Sequence, residues 1–205
     1  MTVAEPGTRT RDRLVAIGAS VGGPAALCKL LGGLPKEFPA AVAIIQHVDE
    51  HFSQGMADWL GRDSALAVRI AREGDRLEPG TVLLASSNDH LVVKVLTRVG
   101  YTSEPREKIY RPSIDVFFDS VRANWPGEVV GVLLTGMGDD GARGLKSLRE
   151  HGHHTIAQDE ASCAIYGMPK AAVALGAAVQ ILPLERIAHR LCEIFRPATR
   201  AQDLP

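Results

Sequence analysis

The sequence predicts an α/β fold: a doubly wound, mostly parallel sheet with helices on both faces and a small β-hairpin excursion. Three observations predict it. Short, nearly unbroken apolar runs recur at LVAIG (14–18), AAVAIIQH (40–47) and EVVGVLLTG (128–136), as strands buried on both faces require. Amphipathic segments of helical length alternate with strand-like runs, the signature of parallel strands joined by crossover helices. Glycine-rich turns close the first and third runs, where such sheets carry their chemistry beyond the carboxyl ends of the strands.

Taken in order, LVAIG is the first strand, and Pro24 stands at a plausible first helical position, so AALCKLLGGL (25–34) reads as a short helix. AAVAIIQH is the second strand. Ser53 is read as the cap of a helix running through Trp59 and Leu60. From Val68 to Leu96 the pattern is strand-like, with turns at EPG (78–80) and SSND (86–89), and this is where the hairpin is expected. In RPSIDVFFDSVRANWP (111–126), Ser113 is a cap candidate. Ile114, Phe117, Phe118 and Val121 then repeat at helical spacing. The third apolar strand is followed by the helix DGARGLKSLREHG. HTIAQD, MPKAAVALG, AVQILPL and ERIAHRLCEIF then give strand, helix, strand, helix. No linker or repeat divides this stretch, so one domain is expected over 14–195, with tails at 1–13 and 196–205.

The chain has 205 residues, 45% hydrophobic and 23% charged, with a formal net charge of −1. It is too apolar for disorder, and has no basic surplus for nucleic acid or an anionic membrane. No run approaches the roughly 18 apolar residues of a membrane span, and the N-terminus lacks the apolar stretch of a signal peptide. Cys28, Cys163 and Cys192 have no metal-type spacing and read as reduced thiols of a cytoplasmic protein. No cofactor motif is expected to be used.

The first turn, Gly18-Ala19-Ser20-Val21-Gly22-Gly23, matches G-x-S-x-G between strand and helix, the context of a nucleophile on a tight turn. The same glycines would suit a phosphate or dinucleotide loop. That use requires an acidic residue about 20 positions on, at the end of the second strand. Gln46-His47 stands there, and a histidine beside a serine is a candidate general base. The third strand delivers Thr135-Gly136-Met137-Gly138-Asp139-Asp140-Gly141, whose carboxylates could orient an imidazole, cap a helix or bind a metal. His47-Val48-Asp49-Glu50-His51 spells H-x-x-E-H, a zinc-peptidase spacing that works only on a helix, whereas His47 closes a strand. His151, His153 and His154 read as a helix end and solvated turn.

Five motifs in sequence carry a family resemblance: IGASVGGP (17–24), IIQHV (44–48), RPSIDVFF (111–118), GVLLTGMGDDGARGL (131–145) and QDEASCAIYGMPKAA (158–172). In order and spacing they resemble the catalytic domain of the chemotaxis protein-glutamate methylesterases, over about Leu14 to Ile194. The resemblance implies a doubly wound sheet and a Ser-His-Asp triad. Its nucleophile would be Ser20, its base His47 and its orienting carboxylate Asp140, with the amide of Met137 as an oxyanion donor; the amide of Val21, in the glycine turn, is read as a second donor. It implies hydrolysis of γ-glutamyl methyl esters on the cytoplasmic helices of chemoreceptors, with deamidation of receptor glutamines as a secondary activity.

Several positions depart from the family pattern. Val21 replaces a usual threonine, Asp49 a usual proline, Tyr110 a frequent histidine, and Asp139 a frequent asparagine. Family members of full length add an N-terminal receiver domain and linker, which residues 1–13 do not supply. Phosphorylation control within this chain is therefore not expected, and a separate receiver protein is admitted as a partner. Two other readings compete: a non-catalytic module binding receptor or signalling proteins, with Val21 and Tyr110 as signs of drift, and a metal-dependent hydrolase using His47 and His51.

Overall fold

The computed structural model describes residues 12–196, so most of both expected tails lies outside the described residues. Strand β1 (Arg13–Ala19) is central and buried from Leu14 onward. It pairs in parallel with β2 (Ala41–Gln46) from Leu14↔Ala41 to Ala19↔Gln46. On its other side it pairs with β7 (Glu128–Leu133), from Arg13↔Glu128 to Gly18↔Leu133. With β3 (Ala67–Ile70), β4 (Thr81–Leu84), β8 (His154–Gln158) and β9 (Gln180–Leu182) they form a seven-stranded sheet of order β3-β4-β2-β1-β7-β8-β9, parallel at every pairing.

Helices α1 (Gly23–Gly32), α2 (Glu50–Asp63) and α6 (Leu184–Ile194) bury Leu27, Leu31, Leu60 and Leu191 against one face. Helices α3 (Ile114–Asn124), α4 (Ala142–Glu150) and α5 (Met168–Ala174) bury Phe117, Phe118, Leu145 and Met168 against the other. The helices leaving β1 and β7 thus cover opposite faces. The sheet consequently has its topological switch point between β1 and β7, the place where sheets of this kind open a crevice at the strands' carboxyl ends. Gly22 and Gly141 begin α1 and α4 at φ of 79° and 89°, in the left-handed region that a Cβ disfavours. The chain therefore reverses tightly on both sides of the crevice.

Two local expectations are corrected. The cap of α2 is Asp49, whose carboxylate accepts from the His51 N–H at 2.9 Å, and Ser53 lies inside the helix with its hydroxyl turned back to Asp49 O. Asp49 precedes Ser53 and satisfies an orphan amide of the first turn, so the helix starts there. The hairpin lies later than expected: β3 and β4 run parallel within the main sheet. The antiparallel pair is β5 (His90–Val93) with β6 (Val99–Thr102), turning through Lys94–Arg98. Alternation and turn residues mark strands but not strand direction. The better clue was β4 itself, whose Val82, Leu83 and Leu84 form an unbroken apolar run suited to a parallel interior position. Among the described residues no helix is long and apolar enough to cross a membrane.

Candidate active site

Ser20 leaves β1, His47 leaves β2, and the loop 134–141 leaves β7, so neighbouring strand ends bring all three to one rim. Ser20 N–H donates to Thr135 O at 3.0 Å, and His47 N–H donates to Ala19 O at 3.0 Å. These bonds extend the sheet ladder one residue beyond each strand and hold the three backbones in register. The Thr135 hydroxyl lies 3.0 Å from Val21 O and accepts from Ile165 N–H at 3.0 Å, tying the serine turn to the 160–167 segment. Gln46 Nε2 donates to Ser20 O at 2.8 Å from below. Thr135 and Gln46 were missed by sequence reasoning. Each is an uncharged polar residue at the end of an apolar run, with no spacing signal of its own.

His47 Nε2 lies 2.9 Å from Asp140 Oδ2, with both side chains nearly buried. Asp140 has three further donors: the Ser113 hydroxyl to Oδ1 at 2.8 Å, Ile114 N–H to Oδ2 at 2.7 Å and Asp115 N–H to Oδ1 at 3.2 Å. It thus caps α3, the helix across the crevice, rather than the helix that follows it. Asp115 reciprocates, accepting from Gly141 and Gly144 N–H at the start of α4 at 3.0 and 2.8 Å. Burial alone would raise Asp140, but the bonds from His47, Ile114 and Ser113 hold it below its ordinary value. Asp115 is pushed up by its burial, with the Asp140 charge adding to the rise. The carboxylate facing the imidazole is therefore the more acidic of the two. Asp139 is exposed.

Because Nε2 faces a carboxylate that can only accept, it carries the ring proton, and Nδ1 is left with the lone pair. That Nδ1 is buried without a hydrogen-bond partner, so Ser20 Oγ and His47 are not bonded to each other in this conformation. Their backbones directly follow the last paired residues of adjoining parallel strands, Ala19↔Gln46, and such strands run about 4.8 Å apart. Val21 and Met137 are exposed at the mouth. Among the described residues their N–H groups take part in no backbone–backbone bond, whereas the Ser20 and Gly136 amides just before them do.

The segment before α3 is pinned by His90, a fully buried residue of β5. Its Nδ1 accepts from Ser113 N–H at 3.0 Å and its Nε2 donates to Pro105 O at 3.1 Å, closing the 105–113 loop at both ends. His90→Ala strands both backbone groups and opens a void. It is expected to lower stability by about 2–4 kcal/mol, read as a shifted urea midpoint with unchanged slope. An unshifted midpoint would mean that the loop holds without this clamp.

The remaining motifs go elsewhere. H-x-x-E-H is split: His47 turns to Asp140, while exposed His51 turns to Asp49 at 2.6 Å in the first turn of α2. Among the described residues no group of three or more His, Cys, Asp or Glu is arranged to hold a metal. His151 closes α4 and His154 opens β8, at the amino ends of the strands and so at the opposite end of the sheet from Ser20. The Cys163 thiol, pushed up to about 11 by burial, is protonated at neutral pH and a poor competing nucleophile.

Residues 15–191 match the family model described as CheB methylesterase. The chain belongs to the CheB methylesterase family. It is 61% identical over 188 residues to a Cupriavidus pinatubonensis protein named protein-glutamate methylesterase/protein-glutamine glutaminase 1, covering 92% of this chain and 55% of that protein. A Pseudomonas aeruginosa protein named protein-glutamate methylesterase/protein-glutamine glutaminase 3 is 62% identical over 185 residues, covering 90% and 55%. The chain thus spans about half the length of these curated relatives. The crystal structure of the Thermotoga maritima CheB methylesterase catalytic domain superposes with a TM-score of 0.85 at 32% identity, covering 90% of this chain and 99% of that one. The doubly wound sheet expected from the sequence is therefore the CheB methylesterase catalytic fold.

Proposed function

We propose that this chain hydrolyses γ-glutamyl methyl esters on the cytoplasmic helices of a chemoreceptor, with Ser20 as nucleophile, His47 as base and Asp140 as orienting acid. The observation that carries the reading is the buried, unpartnered Nδ1 of His47, on a ring whose other nitrogen is fixed by Asp140. A buried acceptor without a donor is costly, and a serine hydroxyl on the adjoining strand end is the group able to satisfy it. Hydroxyl and base are commonly apart in a free enzyme and close when substrate binds.

In the attack, Nδ1 takes the Ser20 proton as Oγ adds to the ester carbonyl, and Asp140 stabilises the imidazolium. The free N–H groups of Val21 and Met137 receive the oxyanion. One such donor is typically worth roughly 3–4 kcal/mol in the barrier. The imidazolium gives its proton to departing methanol, and a water activated by the same ring then releases the γ-carboxylate. The same steps with ammonia as leaving group would deamidate a receptor glutamine, the second activity in the relatives' names. The reaction belongs in the cytoplasm, in keeping with three free cysteines and the receptor segment addressed. A separate receiver protein fits as a regulatory partner.

A fluorophosphonate probe tests the nucleophile directly. The expected result is one phosphonyl adduct per chain, mapped to the peptide containing Ser20 and absent from Ser20→Ala. A folded chain that takes no label while releasing no methanol from methylated receptor would favour the non-catalytic binding module.

A further inference from the structure

We propose that Tyr110 is a positioning residue for His47, holding the imidazole by face-to-face stacking. This inference rests on the role proposed for His47. The two rings lie 4.2 Å apart between centroids, with planes within 2° of parallel. Two in-plane contacts would otherwise have to define the ring, one to Asp140 and one to the serine. Neither resists tilting about the line between them, whereas a flat ring on the imidazole face does. The phenol lies over the loop after β7 as well: a Cβ at Gly138 would come within 3.0 Å of its hydroxyl oxygen. Tyr110 thus spans from the base to the loop carrying Met137 and Asp140. Its own backbone belongs to the 105–113 segment clamped by His90.

The stacking also has an electrostatic consequence. The tyrosine π-face is negative, so it favours the imidazolium formed during attack over the neutral ring of the resting enzyme. That preference acts in the transition state and lowers the barrier without tightening substrate binding. A side chain of similar bulk without a π-face would fill the space and lose the effect.

The experiment combines NMR with steady-state kinetics on methylated receptor. In the wild-type protein the His47 ring protons should lie upfield of exposed histidines through the ring current of Tyr110. Tyr110→Phe should keep that shift and remain within about threefold of wild-type kcat. Tyr110→Leu should lose the shift and lower kcat roughly tenfold, with KM within about twofold. Absence of the upfield shift in the wild-type protein overturns the proposal even if no variant folds. So does a Tyr110→Leu enzyme with wild-type kcat, or a Tyr110→Phe enzyme as slow as Tyr110→Leu. If Ser20→Ala keeps full activity while the upfield shift is present, the nucleophile assignment has failed and the stacking stands. If Ser20 labels normally and Tyr110→Leu is as fast as wild type, only this inference has failed.

Discussion

Ser20→Ala is expected to lower methanol release from methylated receptor by about 10⁴-fold or more, with the fold unchanged. The side chain lies at the head of a tight turn whose geometry depends on backbone bonds, Ser20 N–H to Thr135 O and Gly23 N–H to Ser20 O. Alanine keeps both. What disappears is the oxygen proposed to attack and the proton proposed to pass to His47. Residual catalysis should come from the oxyanion donors and substrate positioning, which persist in the variant. Thermal unfolding measured beside the rates should move by less than a few degrees. Activity near wild type in a folded Ser20→Ala protein would remove this serine from the mechanism.

Asp140→Asn should be nearly as damaging, by about 10³–10⁴-fold, while Asp139→Asn stays within a few-fold of wild type. The difference follows from where the two carboxylates sit. Asp140 accepts from four groups, and an amide has only one acceptor oxygen to offer them. One of its N–H groups must then face Nε2 of His47 or the first amides of α3. Facing Nε2, it forces the ring proton onto Nδ1, the atom proposed to take the serine proton. Facing the helix, it leaves buried amides unpaired, so stability should fall as well, by about 2–3 kcal/mol.

The pH dependence of that loss has a definite sign. Asp140 is held below its ordinary value in the folded protein, so its stabilising contribution is complete above the unfolded carboxylate value of about 3.9. It disappears as pH falls through the lower, folded value. The stability gap between wild type and Asp140→Asn should therefore be constant from neutral pH to about 4 and close below that. A gap that widened on acidification would contradict the assigned direction. If Asp139→Asn were the severe variant, the carboxylate assignment would be reversed.

Much of the site was legible because strand ends in a parallel sheet are legible. Apolar runs closing in Gly-x-Ser-x-Gly, Gln-His and Thr-Gly-x-Gly-Asp-Asp place polar groups at the carboxyl rim by chain direction alone. Buried strands of this kind have one period and no alternative face, so their ends are well defined. Less was legible where two elements met. Ser113 was readable as a helix cap, but its hydroxyl also donates to Asp140, 27 positions on. Asp140 in turn was readable as a carboxylate at the start of α4, yet it caps α3. That exchange of caps with Asp115 depends on two helix N-termini approaching each other, which no local pattern encodes. The hairpin was placed too early for a related reason. Alternation is the same for parallel and antiparallel edges, and only the partner strand decides which forms. Tyr110 stood out as a departure from the family pattern. Nothing in its neighbours indicated that its ring would lie on His47.

The sequence by itself determined the sheet, its two helical faces, and a serine, a histidine and a pair of aspartates at neighbouring strand ends, because hydrophobic period, glycine turns and strand ends are local properties of the chain; the choice of Asp140 within the pair came from the family resemblance. Only the tertiary structure decided which imidazole nitrogen meets the carboxylate, which helix that carboxylate caps, and which ring covers the base. Those are angular relations between side chains on different elements. They are set by how the elements pack, and His47 and Asp140, 93 residues apart, acquire theirs only when the sheet closes around them.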